Sequence, residues 1–177
     1  MKRGFFLLLG GGPTALLALL CGAASAQAPA EDEAPVAIDA THTMQPKGFT
    51  WVLKDTTSGK EQILILPAFH PTQSKPLLMG DRLAYASITK RGEKSQLGCV
   101  TFDLTQGKVL NRQDTDIFVD EGTVPDAQVH RGDDGHVNCR FVGQQCAGKN
   151  QEKCSAGEDA VRLSFNGGEQ ARQGLVM

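Results

Sequence analysis

The chain has 177 residues, with 18 Lys and Arg against 20 Asp and Glu and a formal net charge of −2. This near balance argues against nucleic acid as a partner, because phosphate binding needs a strongly basic face. The length suits one domain with a sizeable core.

The first residues have the build of a secretory signal peptide. Lys2 and Arg3 precede a mostly apolar run that is followed by the small residues Ala24-Ser25-Ala26. Signal peptides are cut after small side chains. We therefore predict a signal peptide over residues 1–26 and a periplasmic or secreted mature protein. Removing this segment leaves 16 Lys and Arg against 20 Asp and Glu, a formal charge of −4.

Two alternatives exist for this segment. A membrane helix would be interrupted by Gly10-Gly11-Gly12-Pro13. A lipid-attachment site would use Cys21, but Leu20 stands where the processing enzyme expects a small side chain. No second apolar run of about twenty residues follows, so we expect no membrane span in the mature chain.

The rest of the chain divides into three predicted regions. Residues 27–46 begin QAPAEDEAPVAIDA, rich in Ala, Pro and acids without apolar period, which is typical of a flexible leader. Residues 47–166 are the predicted folded domain. Residues 167–177 are predicted to be a loose C-terminal tail, although Leu175-Val176-Met177 could extend a sheet edge.

From Phe49 onward, short segments alternate apolar and polar residues between turn residues, which is typical of half-buried strands. These segments are FTWVLKD, EQILILP, RLAYASITK, GCVTFDL, KVLNRQ, TDIFVDE, HVNCRFVG and AVRLSFNG. The largely apolar EQILILP is compatible with a strand buried on both sides. We predict an all-β fold, an antiparallel β-sandwich or small barrel of about eight strands stapled by disulfides, and favour the sandwich.

Two predicted turns share the pattern D-x-T-x-G-K, at Asp55–Lys60 and Asp103–Lys108. In a tight hairpin of this kind an early polar side chain bonds the turn backbone, and glycine takes a positive φ near the end. The pattern also recurs in β-propeller blades. A propeller needs about four blades of four strands, however, and the mature chain is too short for that. We interpret the two turns as hairpins of similar chemistry.

The mature chain has four cysteines, Cys99, Cys139, Cys146 and Cys154. An even number in an exported chain favours disulfides, and their spacing matches neither zinc knuckles nor redox C-x-x-C. Of the three possible pairings we prefer Cys99 with Cys139, both in predicted strands, and Cys146 with Cys154, which closes the loop AGKNQEK. Loop-closure entropy predicts a stabilisation of roughly 4 and 2.5 kcal/mol, respectively.

The polar segment from His130 to Ser155 contains the predicted contact loops, residues 130–134 and 144–155. Loops at strand ends commonly carry binding function. The candidate contact residues are His130, Arg131, Asp133, Asp134, His136, Lys149 and Lys153.

The sequence contains no G-x-S-x-G elbow, Walker loop, dinucleotide fingerprint or H-E-x-x-H motif. We therefore predict no catalytic residue, no cofactor and no metal. The first hypothesis is an exported, non-catalytic protein that binds an unknown protein or envelope component through its stapled loops. The alternatives are a metal-dependent hydrolase using His130, Asp134 and His136, and an accessory subunit of a larger envelope assembly with EQILILP as its unpaired edge strand.

Overall fold

A computed structural model describes residues 34–70, 75–147, 153–165 and 171–173, with only the backbone given for Ala147 and residues 171–173. The predicted signal peptide with Cys21, and the candidate contact residue Lys149, lie outside the described residues. The regular structure in the described ranges is entirely β. None of these residues lies in a helix that could span a membrane.

The described residues form twelve strands in two antiparallel sheets. The strands are β1 Val36–Ala37, β2 His42–Lys47, β3 Thr50–Asp55, β4 Glu61–Leu64, β5 Leu77–Met79, β6 Arg82–Arg91, β7 Lys94–Asp103, β8 Lys108–Asp120, β9 Asp126–Arg131, β10 Val137–Ala147, β11 Lys153–Leu163 and β12 Ala171–Gln173. The small sheet has the order β1-β2-β3-β4. The large sheet runs β12-β11-β10-β8-β7-β6-β5, with β9 also paired to β10.

The large sheet is a nearly closed, barrel-like structure, in which β10 has two successive neighbours on one side. Its residues Val137–Val142 pair with β9, whereas Gln144 and Gln145 pair with β8. β9 in turn lies against β5 and β6 at the far end of the sheet. The predicted all-β antiparallel fold is confirmed, and the small barrel describes this sheet better than the favoured sandwich.

The barrel interior contains one hydrophobic core and the Cys99–Cys139 disulfide. Both cysteines are fully buried, with their Cα atoms 6.1 Å apart. Because β8 lies between β7 and β10 in the sheet order, this bond links strands that are not neighbours. The fully buried core side chains nearby include Leu97, Ile117 and Phe141.

A second core lies between the small sheet and the outer face of β6 and β7. Leu83 and Tyr85 of β6 face this core, whereas Ala84 and Ala86 face the barrel interior. Because side chains alternate along a strand, one face of β6 packs into the barrel core and the other face packs into the second core. In β7, Cys99 likewise faces the barrel interior and Val100 faces the second core. The strands β6 and β7 therefore form a wall shared by both cores.

An aromatic series connects the small sheet to this shared wall. Trp51 of β3 meets Phe69 edge-on at 4.7 Å between ring centroids, and Phe69 meets Tyr85 edge-on at 5.2 Å. The Tyr85 hydroxyl donates to the Pro67 carbonyl at 3.1 Å. Burial raises the pKa of Tyr85 well above its ordinary range, so this hydroxyl stays a donor throughout the physiological range.

Both D-x-T-x-G-K turns have the predicted chemistry. In the β3–β4 turn, Asp55 accepts hydrogen bonds from the backbone of Thr57 at 2.8 Å and of Ser58 at 3.2 Å. In the β7–β8 turn, Asp103 accepts one from Gln106 at 2.8 Å. The glycine near the end of each turn has a positive φ, 72° and 64°, respectively.

The predicted boundaries differ from the structure at both ends of the domain. β1 and the residues of β2 before Lys47 lie inside the predicted leader, and β12 lies inside the predicted tail. β2 was missed because HTMQPK is mostly polar: its inward side chains are Met44 and Pro46. The strand β9 was also missed, so His130 and Arg131 end a strand rather than beginning a loop.

The segments KVLNRQ and TDIFVDE belong to one strand, β8, and not to two. The register between β7 and β8 shifts between Gln96 and Gly98, so β8 contains an irregularity near Thr115. There the buried Thr115 hydroxyl donates to the Leu97 carbonyl at 2.8 Å and accepts from the Ile117 amide at 3.1 Å. The boundary between the two predicted segments is thus a bulge within one strand.

The interpretation of EQILILP as a strand buried on both sides is wrong. β4 is the edge of the small sheet and pairs with β3. Leu64 and Leu66 face the core, whereas Ile63 and Ile65 are 64% and 73% exposed. An edge strand of a sheet covered on one face has only one buried side.

Candidate functional site

The β9–β10 turn and the last two residues of β9 contain five of the seven predicted contact residues: His130, Arg131, Asp133, Asp134 and His136. The Gly132 amide donates to the His136 carbonyl at 2.8 Å, and the Gly135 amide donates to the Gly132 carbonyl at 3.0 Å. Gly135 has a φ of 79°, a left-handed conformation that favours glycine. The backbone therefore closes the turn and leaves the side chains of Arg131 and Asp133 exposed.

Asp134 braces this turn. Its carboxylate accepts the His136 amide at 3.0 Å, lies 3.1 Å from the His136 ring Nδ1, and forms an ion pair with the Arg162 guanidinium of β11. An open cavity of about 260 Å³ adjoins these groups, lined by Gly132, Asp133, Asp134, Asn138 and Arg162. Asp134 thus has a structural role that fastens the turn to β11.

The geometry does not assemble the proposed metal site. His130 lies in β9 opposite Asn138, two residues before the turn that Asp134 and Arg162 brace. Among the described residues, no group of three or more His, Cys, Asp or Glu side chains is arranged to hold a metal ion. His130, Asp134 and His136 are therefore not brought together as a ligand set.

The second predicted contact loop is the end of the β10–β11 hairpin. Cys146 and Cys154 are directly opposite each other and form a disulfide, with a Cα–Cα distance of 4.1 Å. Both disulfides thus have the preferred pairing. The last residues of the hairpin on the β11 side, Lys153–Ala156, are all exposed. We call residues 145–155 the hairpin end; within it the structure describes residues 145–147 and 153–155.

A polar cluster fixes the hairpin just before its end. The Lys94 ammonium donates to the Gln144 side-chain oxygen at 2.6 Å and to the Asp120 carboxylate at 2.7 Å. The Gln144 amide group donates to Asp120 at 3.2 Å. The hydrogen bond and the positive charge of Lys94 hold the pKa of Asp120 below its ordinary value, so this carboxylate is ionised at neutral pH.

Two glycines lie opposite each other in β10 and β11 and allow close packing, Gly143 against β8 and Gly157 within the hairpin. A Cβ atom added at Gly143 would lie 2.8 Å from Ile117 Cγ2 and from the Phe118 carbonyl oxygen. One added at Gly157 would lie 2.7 Å from Gln145 Cβ. Gly143 is also where β10 changes its neighbour from β9 to β8. Gly143, two residues before the hairpin end, is thus a position that only glycine fits without a shift.

The two predicted contact loops lie at opposite ends of β10, which extends from Val137 to Ala147. At about 3.4 Å per residue, a strand of this length separates its ends by more than 30 Å. The turn and the hairpin end are therefore separate surfaces. Both are exposed, but only the hairpin end is closed by a covalent bond.

A larger cavity, of about 520 Å³, opens between the small sheet and the barrel. Its polar lining mixes both charge signs, with Asp55, Lys60, Glu61 and Asp81 among the residues, and its apolar lining includes Leu78 and Leu104. Because the lining combines acidic, basic and apolar side chains, it does not indicate one class of ligand. The sequence contains no signal for this cavity, because its lining comes from separate turns and strands.

An exposed apolar surface on the small sheet was also missed. Phe49, in the β2–β3 turn, is 87% exposed, and Ile63 and Ile65 are exposed on the face away from the core. In the predicted segment FTWVLKD, alternation would place Phe49 on the same face as Trp51 and Leu53, but only Leu53 is buried. Phe49 instead precedes the strand and follows Gly48, whose φ of 61° turns the chain.

In comparisons with known proteins, no family model matches this chain. No curated protein is significantly similar to it in sequence.

Proposed function

We propose that this chain is an exported, non-catalytic protein that binds a protein or another component of the cell envelope through its hairpin end. The feature that supports this proposal is the Cys146–Cys154 disulfide. The bond joins strand ends that belong to neither hydrophobic core. What it fixes is therefore an exposed surface and not the packing of the interior.

Fixing a surface in advance favours binding, because a preformed contact loses less conformational freedom when a partner arrives. The Lys94, Asp120 and Gln144 cluster restrains the hairpin from one side, and the disulfide closes it at the other. Exposed Gln145, Lys153 and Ser155 offer hydrogen-bond donors and acceptors. A polar macromolecular surface suits these side chains.

The same bonds support a periplasmic or secreted location. Two disulfides are compatible with an oxidising compartment, since thiols stay reduced in the cytosol. This agrees with the signal peptide predicted over residues 1–26.

The test uses the oxidised mature protein, immobilised and exposed to the native envelope fraction, beside two variants. Cys146→Ala/Cys154→Ala opens the hairpin end, and Lys153→Glu reverses the charge of one exposed residue. Asp133→Ala, in the exposed β9–β10 turn, is the matched control. We expect a component that wild type and the control retain and that both hairpin variants lose, with unchanged far-UV circular dichroism. Equal capture by all four proteins, or no capture by wild type, would contradict the proposal.

A further inference from the structure

Among the described strands, the edge strand β4 has a neighbour on one side only, β3. Asp55 and Lys60 are opposite each other, and the Asp55 amide donates to the Lys60 carbonyl at 2.9 Å. In an antiparallel ladder, hydrogen-bonded pairs alternate with non-bonded pairs. Gln62 and Leu64 therefore bond to β3, opposite Leu53 and Trp51. The amide and carbonyl groups of Glu61 and Ile63 point the other way, toward the open edge.

The side chains next to these backbone groups are apolar and exposed. Ile63 and Ile65 are 64% and 73% exposed, and Ile63 lies beside the half-buried Val52 of β3. Natural sheets protect their edges with charges, prolines or very short strands. β1 has two residues, and β5 and β12 have three each. β4 is longer, and its one charged residue, Glu61, is paired with Lys54 at 3.2 Å.

Of the segments that adjoin the described strands, two have polar or acidic sequences and a third follows a strand of the other sheet. Residues 71–74 read Pro-Thr-Gln-Ser and offer no large apolar side chain. The segment before residue 34 contains Glu31-Asp32-Glu33, which would place acids beside isoleucines, and it joins the small sheet at β1, on the opposite edge. The C-terminal residues follow β12, which pairs with β11 in the other sheet.

A second copy of β4 does fit this edge. With a two-fold axis at Ile63, antiparallel pairing places Ile63 opposite Ile63 of the second copy and Glu61 opposite Ile65 of the second copy. By the alternation above, each of these residues directs its amide and carbonyl to the edge, so both strands form the same ladder. No like charges oppose each other, because each Glu61 faces an isoleucine and is already paired with Lys54.

The pairing also has a natural limit. Pro67 has no amide hydrogen, and its carbonyl accepts the Tyr85 hydroxyl at 3.1 Å. The ladder therefore stops after Ile65. We infer that this protein forms a two-fold symmetric dimer in which the two small sheets join edge to edge through β4. The interface is isologous, since the same residues contribute from both copies. This inference is independent of the function proposed for the hairpin end.

The test compares three oxidised mature proteins by sedimentation equilibrium over a wide concentration range. We expect wild type to be a dimer that dissociates on dilution. Ile63→Lys places two lysines opposite each other at the axis, where like charges repel. It should raise the dimer dissociation constant by more than about tenfold, which corresponds to 1.4 kcal/mol. The matched control is Val124→Lys, because Val124 is 58% exposed and lies in the β8–β9 connection. It should dimerise as wild type does.

Hydrogen exchange identifies the interface directly. At concentrations where the dimer forms, the Ile63 amide should exchange more slowly than in the dilute protein, and this difference should be absent in Ile63→Lys. Wild-type protein that remains a monomer at millimolar concentration overturns the inference, and a strand from a different protein would then be the remaining candidate for the β4 edge. A dimer that Ile63→Lys does not weaken also overturns it, since another surface then holds the copies together.

Discussion

The two disulfides attach to the same strand, β10, but they stabilise different kinds of structure. Cys139 is fully buried and is bonded to Cys99 across the barrel, 40 residues away in sequence. Cys146 is bonded to Cys154 across one hairpin, a sequence separation of 8. The first bond restrains the core of the domain, and the second restrains an exposed end. The two bonds of one strand thus restrain a buried region and an exposed region, respectively.

Removing the interior disulfide should have the largest effect. For a separation of 40 residues, loop-closure entropy predicts that Cys99→Ala/Cys139→Ala lowers the free energy of unfolding by about 4 kcal/mol. In a domain of this size that corresponds to a decrease in Tm of about 8–16 °C. Thermal unfolding followed by circular dichroism measures it. A decrease no larger than that of the hairpin pair would remove the distinction between the bonds.

Removing the hairpin disulfide should have a smaller and more local effect. Cys146→Ala/Cys154→Ala should lower the free energy of unfolding by at most about 2.5 kcal/mol, because the closed loop is shorter. Amide exchange should accelerate within residues 145–155 and stay unchanged in β6 and β7. Faster exchange throughout the barrel would mean that the hairpin bond also supports the core.

Gly143 marks the boundary between the two regions, and Gly143→Ala tests it. The added Cβ would meet Ile117 and the Phe118 carbonyl at 2.8 Å, so the hairpin must move away from β8. We expect a loss of about 1–3 kcal/mol in the free energy of unfolding, measured by urea unfolding. Ser155→Ala, at an exposed position of the hairpin end, is the control and should change stability little.

Acid should weaken the attachment of the hairpin to the barrel. Lys94 lowers the pKa of Asp120 below its ordinary value, and the Arg140 guanidinium of β10 likewise lowers the pKa of Glu158 of β11, its partner across the hairpin. A carboxyl with a depressed folded-state pKa stabilises the protein above its unfolded pKa, and this contribution is lost as pH falls through the folded pKa. Stability should therefore hold from pH 7 to about 5 and decline below about 4.

The variant Asp120→Asn separates this contribution from general acid unfolding. It should be less stable than wild type at pH 7, and its stability should decline less steeply below about pH 4. Urea midpoints across the pH range measure both quantities. Identical pH profiles for the two proteins would show that the Lys94 contact does not contribute.

The strands and turns that depend on neighbouring residues could be predicted from the sequence. Alternation identified the segments of β10 and β11, because each has a buried and a less buried face. The segments of β6 and β7 were also predicted as strands, although both of their faces are buried. The turns at Asp55 and Asp103 were predicted because their hydrogen bonds lie within a few residues. The preferred cysteine pairing also followed from local patterns: two cysteines in strands and two flanking a loop.

Features that depend on distant contacts could not be predicted. The Thr115 bulge arises because the Leu97 carbonyl on β7 accepts the Thr115 hydroxyl. The bracing of Asp134 comes from Arg162, 28 residues away in sequence. The exposure of Ile63 and Ile65 depends on β4 being at an edge, which no pattern within EQILILP indicates. Burial of one face or two is decided by neighbours that the local sequence does not contain.

The wall formed by β6 and β7 has a consequence for any attempt to divide the molecule. A shortened chain that lacked β1–β4 would leave Leu83, Tyr85, Val100 and Phe102 facing water, all of which are now almost completely enclosed. The small sheet is therefore not a detachable module, and we expect the barrel without it to aggregate through this exposed apolar face. We expect the small sheet and the barrel to unfold in one thermal transition, because β6 and β7 contribute buried side chains to both cores.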